Sequence, residues 1–445
     1  MFCPPGIHVY RVLCAAATLF SILIAAPTAL AGEPGATDWP EYRGPWKNGN
    51  AQAPGSTEPI RLPLTWSETQ NIAWKTAIPH EGHSTPVILG GQIWLTTATA
   101  DGRESFAICV DAQTGEIRFN ERVFENENPE PLGNNINSYA SPSPVIEPGR
   151  VYVHFGSYGT ACLDTATAKP VWERRDLPCR HFRGPGSSPL LYDNLLILSF
   201  DGIDQQYIAA LDKNTGGTVW KTNRSTQWKD LLENGRYFRD GDYHKAFCTP
   251  LVIEWEGKPQ LISLGACAGF AYDPYTGAEL WKTHHDAHSA SPRPLFGNGL
   301  LYVTTGHGQT ELWAIRPGGQ GDITDTHVAW RVAGKEVPKQ PSPVLVGELI
   351  YMVSNEGIAS CVDALTGEMV WSERIGGNFM ASPIYADGRI YASNMQGETT
   401  VMKAGRTFEI LAENRLESGC LASPAVSGKA LFLRTKTHLY RLESR

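Results

Sequence analysis

The sequence predicts an all-β fold, namely an eight-bladed β-propeller built from four-stranded antiparallel blades. Three observations predict it. A turn motif repeats along the chain, a proline precedes a pair of short apolar runs in each repeat, and a lone strand near the start completes an unfinished last repeat. The repeats are spaced by roughly 50 residues, a length typical of one propeller blade. Closing such repeats into a ring leaves no free sheet edge.

The composition is that of a globular protein and does not indicate nucleic-acid binding. The 445 residues are 42% hydrophobic and 19% charged, with 44 Gly and 31 Pro, which excludes disordered and collagen-like chains. The formal net charge is −8, so the basic surface that binds nucleic acid is not expected.

The first 31 residues are predicted to be a cleavable secretory signal peptide. Arg11 is the only formal charge before Glu33, residues 12–26 are mostly apolar, and Ala29 and Ala31 form a small-x-small cleavage site. An uncleaved membrane anchor is the alternative, although the apolar run is short for a bilayer. We therefore expect a periplasmic or secreted mature chain with no transmembrane segment.

The turn motif reads Asp-x-x-Thr-Gly/Ala-x-x-x-Trp/Phe. Its five clear copies begin at Asp111, Asp164, Asp212, Asp273 and Asp363. The Asp side chain can accept hydrogen bonds from the turn's backbone amides, and Gly supplies the positive φ that such a turn needs. The aromatic residue then lies on the returning strand, where it can pack against a neighbouring sheet.

The second repeated feature is a proline, usually after Ser or Thr. It occurs at Pro86, Pro144, Pro189, Pro250, Pro294, Pro343, Pro383 and Pro424. Proline suits the first residue of a strand, where no ladder donor is required. A short apolar run, a Gly, Asp or Asn turn and a second apolar run follow most copies, which is typical of a hairpin. Each repeat is thus predicted to hold four strands.

The two ends of the repeat array complement each other. The last unit, from Pro424 to Leu442, holds only three strands, whereas a lone strand at 71–78 carries the missing Trp74. We therefore expect the N-terminal strand to complete the last blade. The predicted domains are the signal peptide at 1–31, an extension at 32–70 and the propeller at 71–445. The extension is expected to pack on the propeller's exterior through Trp39, Tyr42 and Trp46.

The turn motif resembles the tryptophan-docking repeat of the PQQ-like (quinoprotein) β-propellers. The sequences WPEYRGP at 39–45 and GHSTP at 82–86 resemble a secreted subgroup, the PQQ-binding-like β-propeller repeat proteins. The resemblance covers almost all of the mature chain and implies the propeller fold. It leaves function open, because the superfamily includes both quinoprotein alcohol dehydrogenases and the outer-membrane assembly protein BamB.

Seven cysteines remain after the predicted cleavage. Cys109, Cys162 and Cys361 each lie two residues before the repeat Asp, where other units have Ala, so we expect unpaired packing residues. Cys248 and Cys267 flank one long hairpin, and a cross-strand disulfide between them is as plausible as two free thiols. The adjacent Cys pair that many quinoprotein alcohol dehydrogenases carry is missing from the sequence.

Polar residues concentrate in the segments predicted to reach one face of the ring. These segments are the links from the outer strand of one blade to the inner strand of the next, together with the loops between the second and third strands of a blade, such as the loop at His307. Two of the links are long, at 124–139 and 225–247. A helical turn is expected at 226–234. The candidate ligand-binding residues on this face are His83, Asn137, Arg180, His181, Arg183, His244, Lys245, His285, His288, His307, Gln340 and Asn378.

This polar face has three interpretations. It can form a pocket for an anion or an acidic sugar, since His, Arg and Lys suit negative charge. It can hold a metal through neutral His83, His244, His285 and His288, although no short metal-binding motif is present. The third interpretation is that these polar side chains bind no ligand and only cap the strand ends in contact with water. No nucleophile elbow or P-loop occurs in the sequence, so no catalytic residue is assigned and a metal site stays unknown.

Three functions follow, of which we favour the first. The chain is a non-enzymatic binding or scaffold protein, a monomer that engages an envelope protein, a small molecule or a glycan on one face. Alternatively it is a dehydrogenase of alcohols or sugars that uses PQQ and Ca²⁺, the cofactors that the resemblance implies, with Asp201, Asp204 and Asn394 as candidate ligands or base. The third function is anionic polysaccharide binding through Arg180, Arg183, Lys245 and Lys339.

Overall fold

The computed structural model describes residues 38–444, together with residues 1, 2 and 6. The predicted signal peptide therefore lies almost entirely outside the described residues, and its cleavage stays a prediction, as do the bounds of the three predicted domains. Residues from Asp38 onward belong to one compact unit. In the part of the chain that is described, no helix has the length and apolar character that crossing a bilayer requires.

Eight antiparallel sheets form the propeller, as the sequence predicts. Blade 1 comprises Val87–Leu89, Gln92–Ala98, Glu104–Asp111 and Ile117–Glu125. Blade 2 comprises Val145–Glu147, Arg150–His154, Thr160–Asp164 and Pro170–Arg174. Blade 3 comprises Leu190–Tyr192, Leu195–Asp201, Gln206–Asp212 and Thr218–Asn223. Blade 4 comprises Leu251–Trp255, Lys258–Leu264, Ala268–Tyr272 and Glu279–His284, with the short strand Gly321–Asp322 added in parallel at its outer edge.

The second half of the ring repeats this order and closes on the first. Blade 5 comprises Leu295–Gly297, Leu300–Thr304, Glu311–Ile315 and Val328–Ala333. Blade 6 comprises Val344–Val346, Leu349–Val353, Ile358–Asp363 and Met369–Arg374. Blade 7 comprises Ile384–Ala386, Arg389–Ser393, Glu398–Lys403 and Ile410–Arg415. Blade 8 comprises Ala425–Ser427, Ala430–Arg434, His438–Leu442 and the N-terminal strand Ile72–Ala77, so the predicted ring closure is confirmed.

Helices are short and lie in the links between strands. A 3₁₀ segment spans Phe238–His244, and an α-helical turn spans Thr324–His327. The helical turn expected at 226–234 is wrong, because that segment is irregular and Leu231 instead forms an isolated bridge to Tyr237. The local sequence therefore does not decide the conformation of this long link.

The repeat motif joins each blade to the next. Asp212 Oδ1 accepts the backbone amides of Asn214 and Thr215, both at 2.9 Å, which caps the turn. The indole of Trp172 in blade 2 donates from Nε1 to the carbonyl of Lys213 in blade 3 at 2.9 Å. Its ring packs against Gly216, where an added Cβ would lie 2.7 Å away and where φ is +73°. The glycine is thus required both by the turn and by the neighbouring indole.

The residue before each blade's proline lies around the central channel. We call these eight residues the hydroxyl ring, although blade 5 contributes an arginine: Thr85, Ser143, Ser188, Thr249, Arg293, Ser342, Ser382 and Ser423. The amides of Thr85 and Ser143 donate to the hydroxyls of the following ring members at 2.9 Å, and that of Ser188 donates at 3.0 Å. Further such bonds run from Arg293 to Ser342, from Ser342 to Ser382 and from Ser382 to Ser423.

Residues 39–50, which we call the channel segment, run across the inner strands of the ring. Trp39 exchanges two backbone hydrogen bonds with Ile88 of blade 1, both at 2.8 Å. Ala51, directly after the segment, donates to the carbonyl of Tyr385 of blade 7 at 2.9 Å. The placement of Trp39 and Tyr42 on the propeller's exterior is therefore wrong, since Trp39 is only 1% exposed and its partner lies on an inner strand.

Buried charge fixes the channel segment in place. Arg43 donates to the carbonyl of Pro343 at 2.9 Å and also to that of Pro383, at the start of two inner strands. Glu41 accepts a 2.9 Å bond from Arg293, the one ring member without a hydroxyl. Blade 5 thus has an arginine at this position for a structural reason. The guanidinium of Arg293 pairs with the carboxylate of Glu41, which belongs to the channel segment and not to a repeat.

Candidate functional site

A cavity of about 500 Å³ lies where the links between blades meet at one end of the channel. We call it the channel-mouth cavity. It contains side chains from links around the whole ring, and six of the predicted face residues line it: His83, Asn137, Arg183, His288, His307 and Gln340. The structure therefore brings half of the predicted set together, and the role of this cavity in binding stays a prediction at this point.

Three other predicted residues lie near the cavity without lining it. Arg180 is exposed and pairs with Glu130 at 2.7 Å. His181 is buried, and its Nε2 accepts the amide of Ser157 at 3.1 Å. Asn378 is exposed in the link between blades 6 and 7. These side chains support the links rather than form the wall.

Of the remaining predicted residues, His244 and Lys245 belong to the long link at 225–247, which we call the insertion, and His285 begins the link that follows strand Glu279–His284. His244 and His285 line a second cavity of about 690 Å³ under the insertion. His244 bonds to the Asp230 carboxylate at 3.0 Å and stacks on Trp228 with 3.7 Å between ring centroids. Lys245 is fully buried and contacts Asp242. Its role is to hold that carboxylate from behind the wall.

The base of the channel-mouth cavity is built from hydroxyl groups. Tyr42 of the channel segment lines it, and its hydroxyl lies within hydrogen-bond distance of Ser342 and Ser382. Five other ring members line it directly: Thr85, Ser143, Ser188, Thr249 and Ser423. The last four each accept a backbone amide, so the O–H group of each is left to donate. Residues 38–444 offer these four O–H groups no acceptor within hydrogen-bond distance.

One side wall is a stack of flat side chains. Tyr243 stacks on His288 with ring centroids 4.3 Å apart, and His288 faces His307 at 6.1 Å. The guanidinium of Arg239 lies 5.4 Å from the Tyr243 ring, a cation–π contact. Gln340 Nε2 donates to His307 Nε2 at 2.6 Å, so the neutral His307 ring carries its proton on Nδ1.

The cavity has a positive electrostatic character. Arg183 donates to both oxygens of Asp242, at 2.8 and 2.6 Å, and Lys245 contacts the same carboxylate. Burial, with the Arg183 charge nearby, lowers the pKa of Lys245 to about 7. Arg239 has no carboxylate partner in the described part of the chain. Arg239 therefore supplies the cation that is available to a ligand.

The histidines of the cavity are neutral at pH 7. Burial lowers the pKa of His83 to about 4, with a further contribution from Arg434. Burial also lowers the pKa of His288 to about 4, and it lowers the pKa of His307. Neutral imidazoles can donate one hydrogen bond and accept another, and they gain positive charge once the solution becomes acidic.

Sequence reasoning missed several cavity residues. The sequence does not predict that Tyr42 lies in the channel, because the path of a segment outside the repeats does not follow from its own residue pattern. Arg239, Asp242 and Tyr243 lie in the insertion, whose length was noted but whose contacts depend on distant blades. The Ser or Thr that precedes most of the repeat prolines is the sequence signal that marks the base of the cavity.

The residues present do not fit the calcium ion of a quinoprotein dehydrogenase, which requires several free oxygen ligands. Asp201 is buried and engaged by Arg224 at 2.9 and 2.7 Å. Asp204 accepts the amide of Arg180 at 2.7 Å, and Asn394 accepts the amides of its own turn. Among the described residues, no three His, Cys, Asp or Glu side chains group closely enough to hold a metal.

The cations proposed for a polysaccharide are already paired. Arg180, Arg183 and Lys245 have the carboxylate partners given above, and Lys339 pairs with Glu356 at 2.9 Å. A long polyanion would have to displace all of these carboxylates. The geometry therefore favours a small ligand that enters the cavity over a chain that lies across the face.

The seven cysteines within residues 38–444 are free thiols. Cys109, Cys162 and Cys361 are buried, in agreement with the packing role predicted for them. The disulfide between Cys248 and Cys267 is not formed. The hairpin pairs Leu251 with Ile262, which places Cys248 opposite Gly265, two residues before Cys267. The Cys267 backbone turns away at φ +60° and bonds to the link between blades 4 and 5.

Known proteins resemble this chain in sequence or in structure. The tetrathionate hydrolase of Acidithiobacillus ferrooxidans is 22% identical over 83% of this chain and 86% of its own length. The outer membrane protein assembly factor BamB of Yersinia pestis is 21% identical over 47% of this chain and 52% of its own length. The quinohemoprotein alcohol dehydrogenase structure from Comamonas testosteroni superimposes with a TM-score of 0.68 at 12% identity, over 94% of this chain and 82% of that one.

The fold and its cavity define an eight-bladed PQQ-like β-propeller with a polar, cationic site at one end of the channel. A family model described as outer membrane protein assembly factor BamB matches residues 72–227 and 204–445, which together exceed half of the chain. The chain therefore belongs to this BamB-like family of PQQ-like β-propellers. At these levels of identity the structural likeness shows the fold alone.

Proposed function

We propose that this chain is a non-enzymatic binding protein of the periplasm or the extracellular space, and that its channel-mouth cavity takes a small anion. The observation that carries this proposal is the combination of an unpaired Arg239 with four O–H groups of the hydroxyl ring that lack acceptors. A buried donor without an acceptor costs free energy, so such a set favours a ligand that supplies acceptors.

The size and charge of the cavity agree with this ligand class. A volume of about 500 Å³ suits a small molecule and is too small for a folded partner. Asp242 is the one carboxylate among the described residues that line it, and it is neutralised by Arg183 and Lys245. An anion entering the cavity therefore meets no unpaired negative charge.

Thermal denaturation tests this proposal, since a ligand that binds the folded state raises its melting temperature. The probes are sulfate, phosphate, thiosulfate, tetrathionate, succinate and tartrate as sodium salts, with glucose as the uncharged control and with ionic strength matched by sodium chloride. We expect at least one anion to raise Tm in a saturable way. The Arg239→Gln variant should lose the effect, whereas Arg236→Gln, on the same insertion, should keep it.

The proposal fails if none of these anions raises Tm at about 10 mM, a concentration at which even millimolar affinity is visible. It also fails if Arg239→Gln responds as the wild type does. In either case an envelope protein partner, bound on the outer surface of the same face, becomes the better account of a BamB-like chain.

Hydrolysis of a sulfur oxyanion in the same cavity is a second candidate. It is favoured by the similarity to a tetrathionate hydrolase, which extends over 83% of this chain. The neutral imidazoles of His83 and His288 are the groups in the cavity able to accept a proton from an attacking water. Incubation with tetrathionate followed by ion chromatography separates binding from hydrolysis. Binding alone leaves the total amount of tetrathionate unchanged, whereas hydrolysis reduces it.

A further inference from the structure

An arginine of blade 8 lies buried directly behind the base of the channel-mouth cavity. Arg434 is 3% exposed, and it donates to the carbonyl of Ser84 at 3.0 Å and to the Ser84 hydroxyl at 2.6 Å. Ser84 lies between His83 and Thr85, both of which line the cavity. The guanidinium of Arg434 is therefore in contact with the chain that forms the base.

A second arginine lies behind the base on the side of blades 6 and 7. Arg43 is 1% exposed and donates to the carbonyls of Pro343 and Pro383, the residues that directly follow two members of the hydroxyl ring. The residue before it, Tyr42, lines the cavity and contacts the hydroxyls of those two members. The guanidinium of Arg43 thus lies directly beneath the base.

Neither guanidinium has a carboxylate partner within residues 38–444. Their acceptors there are backbone carbonyls and one hydroxyl, and Arg43 Nε has no acceptor in this part of the chain. Arg293, also buried in the channel, shows the contrast, because Glu41 pairs with it at 2.9 Å. Since a buried cation without a counter-charge costs free energy, these two charges favour an anion in the adjoining cavity.

The positive charge acts on the cavity lining itself. Burial and, after it, the charge of Arg434 lower the pKa of His83. Burial, the facing His307 and nearby cations, Arg239 among them, lower the pKa of His288. Cations behind the base and at the rim therefore act on the same cavity, where the protein walls keep much of the water away and reduce the screening.

We infer that the channel-mouth cavity selects dianions over monoanions of the same shape. This inference rests on the proposed function and names the charge class of its ligand. The physical reason is that Arg43, Arg239 and Arg434 all lack a carboxylate partner, so the second negative charge of a ligand is attracted by cations that a single charge does not neutralise. Because Coulomb energy is proportional to the ligand charge, we expect a preference of about tenfold or more.

Two pairs of anions test the inference by isothermal titration calorimetry at pH 7.5, with ionic strength matched by sodium chloride. Sulfate and perchlorate are both tetrahedral and carry four oxygens, and they differ by one charge. Succinate and succinamate share a four-carbon skeleton, but one carboxylate of succinate is a neutral amide in succinamate. In whichever pair binds, we expect the dianion to bind at least about tenfold more tightly.

Substitutions of one buried arginine test whether its charge causes the preference. Arg434→Gln removes the charge and should reduce sulfate affinity by about fivefold and perchlorate affinity by only about twofold, because the effect scales with the ligand charge. Arg434→Lys retains the charge and should recover most of the lost sulfate affinity. Circular dichroism is the check that both variants are folded, and the wild-type comparison of anions does not depend on them.

A surface arginine provides the control for overall net charge. Arg406 lies between the two outer strands of blade 7 and pairs with Asp363 at 2.6 Å. Arg406→Gln removes the same formal charge as Arg434→Gln, but far from the channel, and should leave sulfate affinity unchanged.

The outcomes separate the inference from the proposed function. If a monoanion binds as tightly as its dianion, the inference is overturned and the anion-binding function stands. Wild-type sulfate affinity in Arg434→Gln also overturns it, as does a loss that Arg434→Lys does not restore, since charge would then not be the cause. If no member of either pair binds and no anion raises Tm, the proposed function itself fails.

Discussion

Tyr243 stacks on His288 with 4.3 Å between ring centroids and 20° between ring planes, and this contact joins the insertion to the link between blades 4 and 5. The insertion is not part of the repeat pattern. Its Tyr243 forms part of the cavity wall because it stacks on His288. Arg239 reaches the rim from a turn in which Arg239, Asp240 and Gly241 all have positive φ. The free cation therefore depends on a strained turn that tertiary contacts hold in place.

Anion affinity is expected to rise as the pH falls from 8.5 to 6. Lys245 titrates with a pKa of about 7, so it is protonated in the acidic part of this range and adds one positive charge behind the cavity wall. We expect sulfate affinity to increase by about fivefold, as calorimetry at each pH would measure. Lys245→Met should bind sulfate with little pH dependence over this range. A wild-type affinity that is constant from pH 8.5 to 6 would contradict this prediction.

The ligand-free protein should lose stability in acid. His154, His181 and His285 are buried, and burial lowers their pKa values to about 3, about 4 and about 4. The unfolded chain therefore binds more protons than the folded one between these values and about 6.5, so stability falls as the pH falls through this window. Urea titrations at pH 7 and pH 5 should show a loss of more than about 1 kcal/mol for each such histidine.

Replacement of one of these histidines provides the control for the acid effect. His285→Phe should show a smaller loss of unfolding free energy between pH 7 and pH 5 than the wild type. His438→Gln, on the outer part of blade 8, should show the wild-type loss. Equal losses in all three proteins would mean that buried imidazoles do not cause the acid sensitivity.

The tryptophan docking of adjacent blades can be measured with two glycine variants. Gly216 and Gly149 both have positive φ, +73° and +83°, but only an added Cβ at Gly216 meets the Trp172 indole. Gly149→Ala should cost about 1 kcal/mol from backbone strain alone. Gly216→Ala should cost about 2 kcal/mol more, because it also forces the indole aside. Chemical denaturation gives both values, and equal costs would contradict the docking role.

The channel segment is expected to depend on its buried ion pair. Glu41→Gln leaves Arg293 as a buried cation without a carboxylate and should lower the free energy of unfolding by about 3 kcal/mol. Glu58→Gln, at an exposed position of the same extension, should change it little. Because Tyr42 follows Glu41 and lines the cavity base, the Glu41 variant should also bind anions more weakly. A stable variant with intact binding would show that the segment does not support the site.

The fold was predictable because its signals are local and repeated. Asp212, Gly216 and Trp172 each perform in the structure the role that their spacing predicted. The cavity was predictable only in part. His83 and His288 lie in links between blades and His307 lies in a loop within blade 5, and these positions follow from the repeat. Tyr42 and Arg239 belong to segments without a repeat and reach the cavity through long-range contacts. Hairpin spacing alone leaves a disulfide and two free thiols equally plausible for Cys248 and Cys267, and the register decides between them, since it places Gly265 opposite Cys248.

The most direct test of the anion site is a calorimetric titration of the wild type, Arg239→Gln and Arg236→Gln with 1,2-ethanedisulfonate, a dianion without hydroxyl groups. We expect one site per chain in the wild type and in Arg236→Gln, and an affinity about tenfold lower in Arg239→Gln, in which the available cation is lost. Absence of binding in the wild type, or equal affinity in all three proteins, would contradict the assignment of the channel-mouth cavity as an anion site.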